Sequence, residues 1–228
     1  MFLTSLIANE KSNKDLAIHH FMQGEFLLNQ GNYALAVLEF QDALDIDPNA
    51  ATIHVSIADG YRRLGRSKHA ENHLEIAITL DSNDITAREM LGQLYLLNRQ
   101  YKLAENQFLA LSKIDFNNDN YLSILGDLAK LQKEWDKSID FYLKAYQINP
   151  QNFKVLESAM QICLSVELFK KAEQICKMLV DYNINNSSYW LTYKQITAYN
   201  KNYHNTLKAI NEMERIEGES IKLTLEKS

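Results

Sequence analysis

One internal repeat, copied at a fixed interval, governs this chain. With Ala17 as position 1, copies begin at Ala17, Ala51, Ile85, Asp119, Phe153 and Ser187, without insertion or deletion between them. Position 20 reads Ala36, Ala70, Ala104, Ser138, Ala172 and Thr206, so it stays small. Position 24 reads Phe40, Leu74, Phe108, Tyr142, Cys176 and Ile210, so it stays bulky or apolar. Small residues let two helices approach closely, and the larger side chains fill the space beside them. With two prolines and seven glycines in 228 residues, little interrupts a helix. A unit this short cannot bury its apolar face alone, so the copies must stack to share a core. The apolar fraction of 46% is sufficient for that core and argues against disorder.

In the first copy Gly24, Tyr33, Ala36, Phe40, Ala43 and Pro48 fall at positions 8, 17, 20, 24, 27 and 32. This set resembles the tetratricopeptide repeat (TPR) pattern. The resemblance implies an all-α, right-handed α-solenoid of antiparallel helix pairs, with helix A over about positions 1–14 and helix B over about 17–30 of each repeat. The expected organisation is a lead-in segment, 1–14, packed on the first repeat. Six repeats over 15–220 follow (17–50, 51–84, 85–118, 119–152, 153–186, 187–220), and 221–228 is an incomplete cap or the start of a further helix. Ser12 and Asp15 read as a capping box at the first helix. Position 31, which reads Asp47, Asp81, Asp115, Asn149 and Asn183, is expected to cap the next helix A. Position 8 changes from Gly24, Ala58, Gly92 and Gly126 to Met160 and Lys194, so helix pairing is expected to loosen beyond about residue 152.

Several functional classes fall away. With 24 basic and 29 acidic side chains and no long Lys/Arg block, a nucleic-acid ligand is not expected. No run approaches the roughly 20 apolar residues of a membrane span. The apolar N-terminal stretch lacks a basic n-region, so the default compartment is cytoplasmic; the alternative is export, were that stretch the remnant of a signal peptide. His69 and His73 share a helical face but lack a third ligand and read as a solvated surface, while His20 and His54 read as packing residues. Cys163 and Cys176 occupy core positions on paired helices, whose axes lie about 8–10 Å apart, too far for a disulfide. No phosphate loop, nucleophile elbow or CxxC pair is present. The chain therefore reads as no enzyme, with no cofactor and no metal.

The resemblance further implies a concave wall lined by positions 2, 5, 9, 12 and 13 of helix A. Position 9 reads Glu25, Asp59, Gln93, Asp127, Gln161 and Gln195, a polar series that a core would not select. Arg62, Arg63, Glu89 and Lys130 flank it, and together these ten residues form the expected groove for a protein or peptide partner. The carboxylate clamp of TPR domains that hold chaperone tails is missing, since Phe21, Glu25, Ser56, Thr86 and Met90 stand in its places. The expected function is a non-catalytic protein-interaction scaffold. The alternative is an interaction array cut from a longer enzyme or membrane-assembly protein. Ile221, Leu223 and Leu225 at the open end suggest self-association there.

Overall fold

A computed structural model describes residues 2–226, with side chains described over 13–218. Among these residues the architecture is all-α, as expected: α1 (Phe2–Asn29), α2 (Tyr33–Ile46), α3 (Ala51–Arg63), α4 (Ser67–Leu80), α5 (Ile85–Leu97), α6 (Tyr101–Ile114), α7 (Asp119–Leu131), α8 (Trp135–Ile148), α9 (Lys154–Ser165), α10 (Phe169–Tyr182), α11 (Ser187–Tyr199) and α12 (Tyr203–Glu226). They form two compact units, Met1–Asp115 and Phe116–Ser228. In the first, α1, α3 and α5 pair with α2, α4 and α6, while α2 packs on α3 and α4 on α5. In the second, α7, α9 and α11 pair with α8, α10 and α12, while α8 packs on α9 and α10 on α11.

Position 8 of helix A is a close contact within several of the pairs. A Cβ built on Gly24 would lie 2.5 Å from the Phe40 ring, and one on Gly126 would lie 2.5 Å from the Tyr142 ring. In these copies the aromatic ring at position 24 thus packs against a backbone with no side chain. Phe40, Phe108 and Tyr142 are almost completely buried there, each contributing on the order of 2–3 kcal/mol of apolar burial. Where position 8 grows, position 24 shrinks: Ala58 faces a repeat with Leu74, and Met160 one with Cys176. The expected loosening after residue 152 does not interrupt the helix pairs, because α9 with α10 and α11 with α12 stay paired. Their core includes Leu156, Cys163, Cys176, Leu179 and Trp190.

Each pair turns through three residues, and the middle one, position 15, has positive φ in all six copies: Gly31, Gly65, Arg99, Lys133, Glu167 and Lys201. The backbone bonds are those of a Schellman motif, as in Glu134 N–H to the Ala129 carbonyl (2.8 Å) and Lys133 N–H to the Lys130 carbonyl (3.0 Å). Only the first two copies use glycine, the residue for which this conformation is free of strain.

Three boundary expectations are corrected. Position 31 does not cap helix A; Asp47, Asp81, Asp115, Asn149 and Asn183 instead close helix B as its C-cap residues. The caps of helix A lie three residues later, where Asp84 accepts from Ala87 N–H, Asn118 from Asn120 N–H, and Asn186 from Ser188 and Tyr189 N–H. A capping oxygen reaches only the N–H groups two or three residues on, which excludes position 31. Secondly, α1 begins at Phe2, so Ser12 lies inside a helix rather than at its start; no proline or glycine interrupts 2–16. Whether that lead-in packs on the first repeat depends on side chains outside the described residues. Thirdly, 221–226 continues α12 instead of opening a new helix. The side chains of Ile221, Leu223 and Leu225 lie outside the described residues.

Two stability outcomes are expected. Gly126→Ala should cost about 1–3 kcal/mol through overpacking, and adding Tyr142→Leu, which recreates the Ala58/Leu74 combination, should recover part of that loss in urea denaturation. Lys133→Gly should raise the denaturation midpoint by about 0.5–1 kcal/mol in stability, since relief of left-handed strain exceeds the extra unfolded-state entropy of glycine. An unchanged or lowered midpoint would contradict it.

Candidate functional site

The two cysteines are not poised as nucleophiles. Cys163 and Cys176 are free and buried. Burial pushes the Cys163 thiol up and drives that of Cys176 to about 12, so neither is a thiolate at neutral pH.

The histidines are better packed than the sequence suggests. His69 is exposed, but His73 is only half-exposed and places Nδ1 3.0 Å from Nδ1 of buried His54. The Tyr61 ring lies 5.0 Å from His69 and 5.7 Å from His73. Two ring nitrogens at that distance need one donor and one acceptor, so they share a proton. Burial lowers His54 despite the Pro48 carbonyl. Burial, then the charges of His54 and His69, pull His73 down to about 4. The reading of His69 and His73 as a solvated face therefore holds only for His69; the partner of His73 stands on the preceding helix A, where local spacing cannot reveal it. His20, Glu39 and Asp42 bring ligand atoms within 4.8 Å of one another. His20 Nδ1 is already hydrogen-bonded to Glu39 Oε2 at 2.8 Å, both side chains partly exposed.

The polar series at position 9 is divided between the units. In the first, Glu25, Asp59 and Gln93 stand on α1, α3 and α5. Glu25 is half-buried and accepts from Ser56 Oγ at 2.6 Å. Asp59 accepts from Arg62 Nε (3.0 Å) and Arg63 Nε (2.8 Å). Burial raises the Asp59 carboxyl, but hydrogen bonds and charge from Arg63 and Arg62 outweigh it and hold it below its usual value. Arg63 also lies 5.5 Å over the Tyr33 ring. The two guanidinium groups expected to await an acidic ligand are thus partly occupied by Asp59, leaving one net positive charge among the three. Gln93 is exposed and Glu89 half-buried.

In the second unit, Asp127, Gln161 and Gln195 stand exposed on α7, α9 and α11, with Lys130 exposed on α7. Asp127 accepts from Tyr142 OH at 2.6 Å, so the ring that packs on Gly126 also braces this carboxylate. One turn after position 9, exposed Leu97 follows Gln93, Leu131 follows Asp127, and Tyr199 follows Gln195. Sequence reading missed Glu173, whose carboxylate accepts from Asn200, Asn202 and Asn205 at 2.8, 2.6 and 3.1 Å. Burial raises this carboxyl and the three amides more than reverse that. It ties α10 to α11 and α12.

Comparison with known proteins agrees with this architecture. Residues 4–51 and 55–120 match the family model described as tetratricopeptide repeat. Among solved structures the chain is similar to MamA, at 18% identity over 77% of this chain and 96% of that one, with a TM-score of 0.63. It is similar to Pseudomonas aeruginosa PilF, at 16% identity over 90% and 93%, with a TM-score of 0.55. YrrB, described as a TPR protein with an unusual peptide-binding site, is 16% identical over 83% and 98%, with a TM-score of 0.54. At such identities the likeness shows the fold. A Caenorhabditis elegans protein O-mannosyl-transferase is 29% identical over 75 residues, which is 33% of this chain and 11% of that protein. No helix among the described residues is long and apolar enough to cross a membrane.

The histidine pair sets an acid limit on stability. An unfolded histidine protonates near pH 6.5, whereas folded His73 protonates only near pH 4. Between those values the unfolded state binds more protons, so stability should fall as pH drops. His73→Gln should flatten this part of a plot of thermal midpoint against pH; an equally steep decline would assign the acid sensitivity elsewhere.

Proposed function

Since this chain belongs to the tetratricopeptide repeat family, we propose that it is a non-catalytic scaffold that binds an extended or helical segment of a partner protein on its A helices. The observation that carries this reading is the repeated exposed pair of a polar side chain at position 9 and an apolar one a turn later: Gln93 with Leu97, Asp127 with Leu131, Gln195 with Tyr199. A polypeptide segment offers both unpaired amide groups and apolar side chains. Carboxamides can donate to its carbonyls and accept from its N–H groups, carboxylates can only accept, and the neighbouring leucines cover its apolar atoms. YrrB, with its peptide-binding site, lends support at the level of fold.

Arg62, Arg63 and Lys130 would favour acidic residues in the ligand, Arg62 and Arg63 less so for being bonded to Asp59. The segment matched in the O-mannosyl-transferase, 75 residues long, corresponds to little more than two repeats. That favours a shared interaction array over shared chemistry, so the transfer reaction is not part of this proposal.

Ordering a flexible segment costs entropy, so affinity should be micromolar, on the order of −8 kcal/mol. Capture of partners by the intact chain, followed by replacement of Gln161 and Gln195 by alanine, tests the site in the second unit. Circular dichroism should be unchanged because both are exposed, while affinity for the captured segment should fall at least tenfold. Equal affinity in the double variant would move the site off α9 and α11.

A further inference from the structure

We propose that the chain associates with further copies of itself, the exposed face of α12 in one copy seating on the exposed face of α1 in the next. The argument starts from the seams between successive helix pairs within each unit. At the seam of α2 with α3, a Cβ at Gly60 would lie 2.7 Å from Val37 Cγ2, and Arg63 lies over the Tyr33 ring. At the seam of α10 with α11, the Phe169 ring lies 3.9 Å from that of Tyr199, and Glu173 accepts from Asn200. In repeat positions both seams place residues 17 and 21 of a helix B against residues 10, 13 and 14 of the following helix A.

Burial follows that rule inside the units. At position 10, Gly60, Leu94, Ile162 and Ile196 are buried; at position 21, Val37 and Ile139 are buried. The end helices depart from it. Phe26, at position 10 of α1, is 57% exposed and Met22, a turn before it, 65%. Leu207, at position 21 of α12, is 60% exposed and Tyr203, at position 17, is 72%. Isolated exposed apolar residues are ordinary, but these occupy the two halves of one seam. α12 offers an aromatic at 17 and an aliphatic at 21, as α2 does with Tyr33 and Val37. α1 offers an apolar side chain at position 10, as α5, α9 and α11 do. The occupant best matched to each face is therefore the other of these two faces on a second copy. Joining unlike faces gives a heterologous contact that need not close, so assembly continues beyond a dimer. The stacking contact uses positions 10, 17 and 21 rather than position 9, so its failure would leave the peptide-binding reading intact.

Sedimentation of the full chain and of two charged variants tests the proposal. The parent's average mass should keep rising with concentration past that of a dimer. Phe26→Glu and Leu207→Glu, each altered at an exposed position, should each remain at the mass of one chain. Their equimolar mixture should form a dimer and stop there, because one variant keeps a sound α12 face and the other a sound α1 face. Met22→Glu and Tyr203→Glu form an independent pair with the same expected behaviour should circular dichroism show either first variant misfolded. A parent that stays monomeric, a parent that stops at a dimer, or folded variants whose mixture stays monomeric would each overturn the proposal.

Discussion

The contact on which three of the helix pairs depend is the meeting of an aromatic ring at position 24 with a glycine at position 8: Phe40 on Gly24, Phe108 on Gly92 and Tyr142 on Gly126. Gly24 with Phe40 and Gly126 with Tyr142 leave no room for even a methyl group. This approach fixes the spacing of helices A and B, and hence which residues a pair can show to its neighbours. Small residues at position 20 serve the same end; where that position is Ser138, its hydroxyl donates to the Gly126 carbonyl at 2.7 Å, so the polar atom is satisfied inside the contact. In the fifth copy a larger Met160 accompanies a smaller Cys176, and α9 stays paired with α10. The sixth, with Lys194 and a 37% exposed Ile210, keeps no such balance.

Within each unit polar side chains also bond across the seams between pairs. Ser56 bonds Glu25, Tyr189 bonds Glu157, and three asparagines surround Glu173. Such bonds set direction and register more than net stability, since each replaces a bond to water. They also explain why part of the polar wall is unavailable to a ligand. Glu25 and Asp59 are already engaged, while Gln93, Gln161 and Gln195 stand exposed. A binding surface in this chain is therefore better sought in the carboxamides and the apolar residues one turn beyond them than in the carboxylates of the first two repeats.

Strain and burial are unevenly distributed along the chain. Four of six turns hold a non-glycine residue in the left-handed region, where the tertiary fit of the helix pair compensates for the local cost. Cys163, Cys176 and the His54/His73 pair are displaced from their ordinary titration by burial, yet none faces an open cleft with a complementary partner. Perturbed groups often mark functional sites; these lie on the two packed helices of a single pair, α3 with α4 and α9 with α10.

The all-α architecture and the helix pairing were legible in the sequence, as were the small and bulky residues at the contact within each pair. Position 20 stays small and position 24 bulky or apolar in every copy, and volume complementarity at a helix contact is legible from residue types alone, although Ile210, the last of the series, is 37% exposed. Caps, seam bonds and the state of the polar wall were decided only in three dimensions. Position 31 looks like a cap by composition, but the chain closes helix B there, and only the path of the turn places Asp84, Asn118 and Asn186 beside free N–H groups. Asp59 looks like a ligand-facing carboxylate until Arg62 and Arg63 fold back on it, and His73 looks solvated until His54 reaches it from another helix. The physical reason is range: periodicity reports which face of a helix is buried, whereas hydrogen-bond partners depend on side chains that meet across helices well separated in the sequence.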